Sequence, residues 1–159
     1  LMFVSMDTHF ADYETHDAFI EKYLKKKDHS GILADICLEH VANQVDENGE
    51  LTGLCEPRIC FTSDVGDFRQ ITNEEFVRHD LDRIVNIPAD LFGDEPPTDA
   101  DMFYQQGVPI ISYISGPIYL YADMDTIDKV SPEQLQKVTE AFIDIVWRVS
   151  EMPAEEFTQ

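Results

Sequence analysis

Positive charge is what this sequence has least of for its size. Eleven Lys and Arg stand against 32 Asp and Glu, a formal net charge of −21. Such a field repels a phosphate backbone and an anionic membrane surface alike, which excludes nucleic acid and lipid headgroups as partners. Cysteine is scarce too: Cys37, Cys55 and Cys60 form no Cys-x-x-Cys pair, which argues against a disulfide framework and a zinc ribbon. Cys37 reads as a small core residue. Cys55 and Cys60 could bridge across "CEPRIC", although free thiols are the expected state. No run approaches the roughly 20 apolar residues of a membrane span, and no signal peptide is visible, so the compartment is left open. Internal repeats, low-complexity tracts and interior linkers are also missing, so one domain is expected over residues 1–159. The chain opens at Leu1 inside an apolar run, without an initiator Met, so its natural start is expected upstream.

What is present is the material for a core. Hydrophobic residues make up 43% of the chain, with ten Phe, six Tyr and one Trp, which excludes a disordered acidic tail. The charge suits cationic ligands, metal ions and a high-salt environment. "LMFVSM" reads as a buried strand, apolar on both faces. Phe19, Ile20, Tyr23 and Leu24 then recur at helical spacing, with Thr15 as the expected N-cap. "GILADICLEHVA" follows as a second strand, completing a βαβ unit. Further on, "EPRICFTS" predicts a short strand. "TNEEFVRHDLDRIV" predicts a helix capped by Thr72, with Phe76, Leu81, Ile84 and Val85 as its stripe. "DMFYQQG" predicts a short helix ending at Gly107, and "VPIISYIS" a third strand. The last element carries the clearest signals. Ser131, Pro132 and Gln134 open it, and Leu135, Val138, Phe142, Ile145 and Val149 line one face.

Histidines and acids concentrate in "VSMDTHFADYETHDAF". His9 and His16 lie seven apart with Asp12 and Glu14 between them, a cluster that a solvated loop explains in a chain this acidic. Asp17 suits the positive end of the following helix dipole. Phe10, Tyr119 and Tyr121 read as space-filling residues, and Asp125 and Thr126 as a cap for the turn before the final helix.

Two segments nevertheless share a pattern. Thr98, Asp99, Phe103, Gly107, Val108, Pro109, Asp125 and Thr126 match in order and spacing the C-terminal half of the zinc-dependent aminopeptidases with two co-catalytic metals, whose fold the glutaminyl cyclases share. "FVSMDTHF" and "ICLEH" resemble that family's two strand ends, with "AFIEKYL" as the helix between. The resemblance implies a three-layer α/β/α fold with a mostly parallel mixed sheet. It would lack the N-terminal part of the full domain.

The resemblance also implies a chemistry, in which zinc lowers the pKa of a bound water and a carboxylate takes the proton. Carried over residue by residue, the general-base position falls on His9 and its neighbouring ligand on Phe10. A carboxylate ligand falls on Glu39 and the late His ligand on Tyr121, while Asp99, Phe10, His40 and Asp125 border the substrate cleft. Phenylalanine cannot bind zinc, and a neutral tyrosine binds it poorly. A rebuilt single-metal site would use His9 with Glu39 or His40, but strand neighbours point to opposite faces, so one of the latter two at most faces the cleft. The expectation is a peptidase-like domain without standard two-zinc activity, acting as a binding or scaffold module for a peptide-like ligand. The alternatives are a piece of an active zinc exopeptidase and an acidic interaction protein with no cleft. Apolar sheet surface or an open edge is expected to be covered, by self-association or by a missing N-terminal segment.

Overall fold

The computed structural model describes residues 1–6, 12–25 and 31–158. His9 and Phe10 lie outside them. Four strands build the main sheet: β1 (Asp35–Leu38), β4 (Arg58–Thr62), β5 (Ile84–Pro88) and β6 (Ile110–Ser115), in the order β1-β6-β4-β5. β1 runs parallel to β6 and β5 parallel to β4, while β4 and β6 are antiparallel. The result is a mixed sheet with mostly parallel pairing. β2 (Asn43–Val45) and β3 (Leu51–Cys55) form a separate antiparallel ribbon.

Alternation along the strands sorts the side chains onto two faces. On one face, Phe61 and Ile110 meet Ile20 of helix α1 (Glu14–Tyr23) and Phe103 of the short helix α3 (Asp101–Tyr104). On the other, Cys60, Ile111 and Tyr113 are covered by α2 (Phe68–Arg78) and α4 (Pro132–Ser150), with Tyr113 edge-on to Phe142. Helices therefore pack on both sides of the sheet.

α4 starts where its sequence says it should. Ser131 Oγ accepts from the Gln134 N–H at 3.3 Å and Pro132 occupies the first turn. Val138, Phe142, Ile145 and Val149 are buried as expected, but Leu135 is half-exposed. Arg148 and Asp144 turn toward α2, where Arg148 Nη1 donates to the buried carboxylate of Glu75 at 2.8 Å.

Several expectations are corrected. Residues 1–6 form no strand, and Leu1 and Phe3 stand almost fully exposed. A strand exists only through its ladder, and none of these residues has one, so the βαβ unit is incomplete. α1 is preceded by Tyr13 in a left-handed conformation (φ 57°), not capped by Thr15, which lies inside the helix. α2 begins four residues before Thr72, whose hydroxyl turns back to the Phe68 carbonyl at 2.9 Å. Ile84 and Val85 belong to β5 rather than to the helical stripe: left-handed turns at Asp80 and Arg83 break the helix, and the β-branched pair joins the β4 ladder. All three cysteines are free thiols.

Candidate functional site

β1 sets up the site by its pleat. Asp35, Cys37 and Glu39 alternate onto the face shared with α1 and α3, while the Glu39 N–H continues the ladder to the Tyr113 carbonyl at 2.8 Å. Beyond the strand, His40 turns left-handed (φ 50°) and is fixed to the end of β6: its Nδ1 lies 3.0 Å from the Ser115 carbonyl, and Ser115 Oγ donates to the His40 carbonyl at 2.5 Å. Glu39 thus faces the site and His40 does not, as the strand geometry requires.

The Glu39 carboxylate is held through one oxygen. Oε1 accepts from Thr98 Oγ1 at 2.6 Å and from the Asp99 N–H at 2.9 Å, with the Cys37 thiol 3.7 Å away. Thr98 in turn is hydrogen-bonded to Ser112 on β6. Burial raises the Glu39 pKa, and these two donors partly offset it; Asp99 pushes it up further and His40 pulls it down. Burial lifts Asp35 to about 6, with Glu39 adding to the effect. The same two causes, together with Asp35 and Asp99, raise the Cys37 thiol far from ionisation. Cys37 is accordingly a neutral thiol, not a nucleophile.

Around Glu39 the structure gathers two tyrosines and two more acids. Tyr13 lies within electrostatic reach of Asp99, Asp101, Tyr121 and Glu39, and burial and these neighbours raise its pKa. Burial raises Asp101 as well, helped by Asp99 and Glu95 and opposed by His16. His16 is 4% exposed, meets Tyr13 and Phe103 edge-on, and its Nδ1 has no hydrogen-bond partner among the described residues. Tyr121, also left-handed (φ 72°), is two-thirds exposed at the rim. Tyr13, His40 and Tyr121 are all non-glycine residues in a region costing on the order of 1–3 kcal/mol each, strain that concentrates at functional sites.

Of the residues singled out in the sequence, Glu39, Asp99 and Tyr121 come together, and His40 sits behind them. Asp125 does not join: it is exposed in the turn after Ala122 and acts on Tyr119, whose hydroxyl donates to the Asn43 carbonyl. His9 and Phe10 lie outside the described residues. His16, expected in a solvated loop, is instead buried in α1, and Tyr13, Asp101 and Ser112 carried no signal in the sequence. The Asp-x-Cys-x-Glu alternation in β1 could have pointed to a polar face.

A grouping of potential metal ligands lies elsewhere. Among the described residues only Glu75, His79 and Asp144 bring three ligand atoms within 4.8 Å of one another. That group has a structural occupation already. Arg78 Nη1 lies 2.8 Å from Glu75 Oε2 and Arg148 Nη1 2.8 Å from Oε1, while His79 Nε2 is 2.8 Å from Asp144 Oδ2. Two guanidinium groups thus neutralise the buried carboxylate that an ion would need. A further cleft, lined by Asp64, Asp67, Arg69, Asn73 and Glu74, opens beside the start of α2. It brings together no histidine or cysteine.

The described part of the Glu39 mouth does not fit a two-zinc centre: its three carboxylates form no such group, and Tyr121 offers a phenol. Comparison with protein-family models, with curated proteins and with solved structures finds no match to this chain.

Proposed function

We propose that this chain is a peptidase-like α/β domain whose mouth captures a cationic, peptide-like ligand and does not hydrolyse it. The observation that carries the reading is that Asp99, Asp101, Tyr121 and Glu39 lie within electrostatic reach of Tyr13, with the Asp99 N–H bound to the Glu39 carboxylate. Glu39, Asp99 and Tyr121 are positions that the resemblance to zinc aminopeptidases assigns to the ligand set and cleft. Their meeting in space supports that plan for the fold.

The chemistry suits an ammonium or guanidinium group. Carboxylates supply the charge, and tyrosine faces attract a cation by a further ~0.5–2 kcal/mol, depending on desolvation. All three donors on Glu39 use Oε1, so Oε2 is the oxygen offered to a ligand. Hydrolysis is left without its parts: Phe10 stands at one ligand position and Tyr121 at another, and no general-base carboxylate stands at position 9. Zinc has no role in this reading.

Titration calorimetry with a short peptide carrying an N-terminal lysine tests it. Saturable 1:1 binding, weakened at least tenfold by Glu39→Gln and by Asp99→Asn, is the expected result. Binding indifferent to both substitutions would point to an acidic surface without a cleft. Zinc-stimulated cleavage of aminoacyl substrates, lost with a chelator, would overturn the proposal.

A further inference from the structure

Two features of this chain are unsatisfied in complementary ways. The first is the outer edge of β1. In its parallel ladder the odd residues face β6, as the Asp35 and Glu39 N–H bonds to the Pro109 and Tyr113 carbonyls require. The N–H and C=O groups of Ile36 and Leu38 therefore point away from the sheet, where the strand order places no neighbour. Leu33 and Leu38 beside them are 43% and 50% exposed. The second feature is the run Leu1–Met6. It has the composition of a buried strand, yet it has no ladder, and Leu1 and Phe3 are 92% and 88% exposed.

From this pairing we infer that the chain associates with a second copy of itself by strand exchange, residues 1–5 of each copy adding to the β1 edge of the other while Met6 stays on its own core. An extended apolar segment on an open edge gains main-chain hydrogen bonds and side-chain burial together. The charge permits the approach: Leu1–Met6 carries no charged side chain, so it can approach a neighbour of net charge −21 with little local repulsion. Reciprocal exchange of two such strands would bury roughly 1,000–1,500 Å² in all, within reach of the ~1,200–2,000 Å² of stable pairs. The exchange also covers the half of Leu38 that stands exposed.

Light scattering after size exclusion and sedimentation velocity on the full chain give the test. A dimer is expected at micromolar concentration. Its dissociation constant should fall several-fold between ~0.1 and 1 M salt, because screening removes repulsion between like-charged copies. Shortening the chain by residues 1–5 keeps Met6, which packs on the core, and should give monomers. So should Leu38→Pro, which removes an outward N–H without touching the β6 ladder. Circular dichroism and urea midpoints of both variants establish that each is folded. A wild-type chain that stays monomeric to 100-fold higher concentration would overturn the inference. So would dimers that persist in both variants.

Discussion

Asp35→Asn isolates the electrostatic cost of the polar face on β1. Asp35 is mostly buried and lies two strand positions from Cys37 and four from Glu39 on the same face, and its pKa stands near 6 against an ordinary 3.8. Each pKa step is ~1.36 kcal/mol, so ionising Asp35 in the folded state carries about 3 kcal/mol of penalty above pH 7. The sign follows from proton counts. Between pH 3.8 and 6 the folded chain holds a proton that the unfolded chain has released, so this group's contribution to stability falls as pH rises through that window and then levels off. Asparagine, nearly isosteric and uncharged, removes the penalty. Urea denaturation at pH 4 and pH 8 measures it as a difference between variant and parent. At pH 8 the variant is expected to be more stable by up to about 3 kcal/mol, a midpoint shift of roughly 1–1.5 M for a slope near ~2 kcal/mol/M. At pH 4 the two should nearly coincide. Equal shifts at both pH values, or a variant less stable at pH 8, would refute the placement of Asp35 in a desolvated position beside Glu39.

Other outcomes are equally specific. Tyr121→Asn relieves a left-handed tyrosine at an exposed position, so it should stabilise the fold by up to about 1 kcal/mol while weakening peptide binding; a loss of stability would contradict the strain assigned there. Arg148→Met leaves the buried Glu75 carboxylate with the exposed Arg78 and, at 3.7 Å, His79, at a cost of about 2–3 kcal/mol in urea denaturation, and adding Glu75→Met should recover most of it. Zinc at equimolar concentration should leave the melting temperature within ~1 °C, because Arg78 and Arg148 occupy Glu75; a rise of several degrees abolished by His79→Ala would reverse that view. Because burial raises the Glu39 pKa, peptide affinity should increase with pH as Glu39 ionises, and this dependence should disappear in Glu39→Gln.

The sequence was most legible where local and tertiary signals agree. α4 carries a cap, a proline and a 3.6-residue stripe, and β6 an apolar run entered from a left-handed glycine at 107, and both were read correctly. Legibility failed where structure depends on a distant partner. The apolar composition of Leu1–Met6 says "strand", but only a neighbouring strand can make it one. Ile84 and Val85 fit a helical period equally well, until the turns at Asp80 and Arg83 decide otherwise. In the candidate site, Glu39, Asp99 and Tyr121 were singled out through the resemblance, and the structure brings them near one another. Tyr13, His16 and Ser112 were not, because they reach the site through the packing of α1 and the pairing of β6 with β1, which no local pattern encodes.

The central claim is capture without hydrolysis at the Glu39 mouth. Mass spectrometry of an N-terminal-lysine peptide, recovered from a calorimetric titration run with zinc present, tests both halves in one sample. The expected result is a saturating isotherm that Glu39→Gln weakens at least tenfold, with the recovered peptide intact. Peptide shortened by its first residue, or an isotherm that Glu39→Gln leaves unchanged, would contradict it.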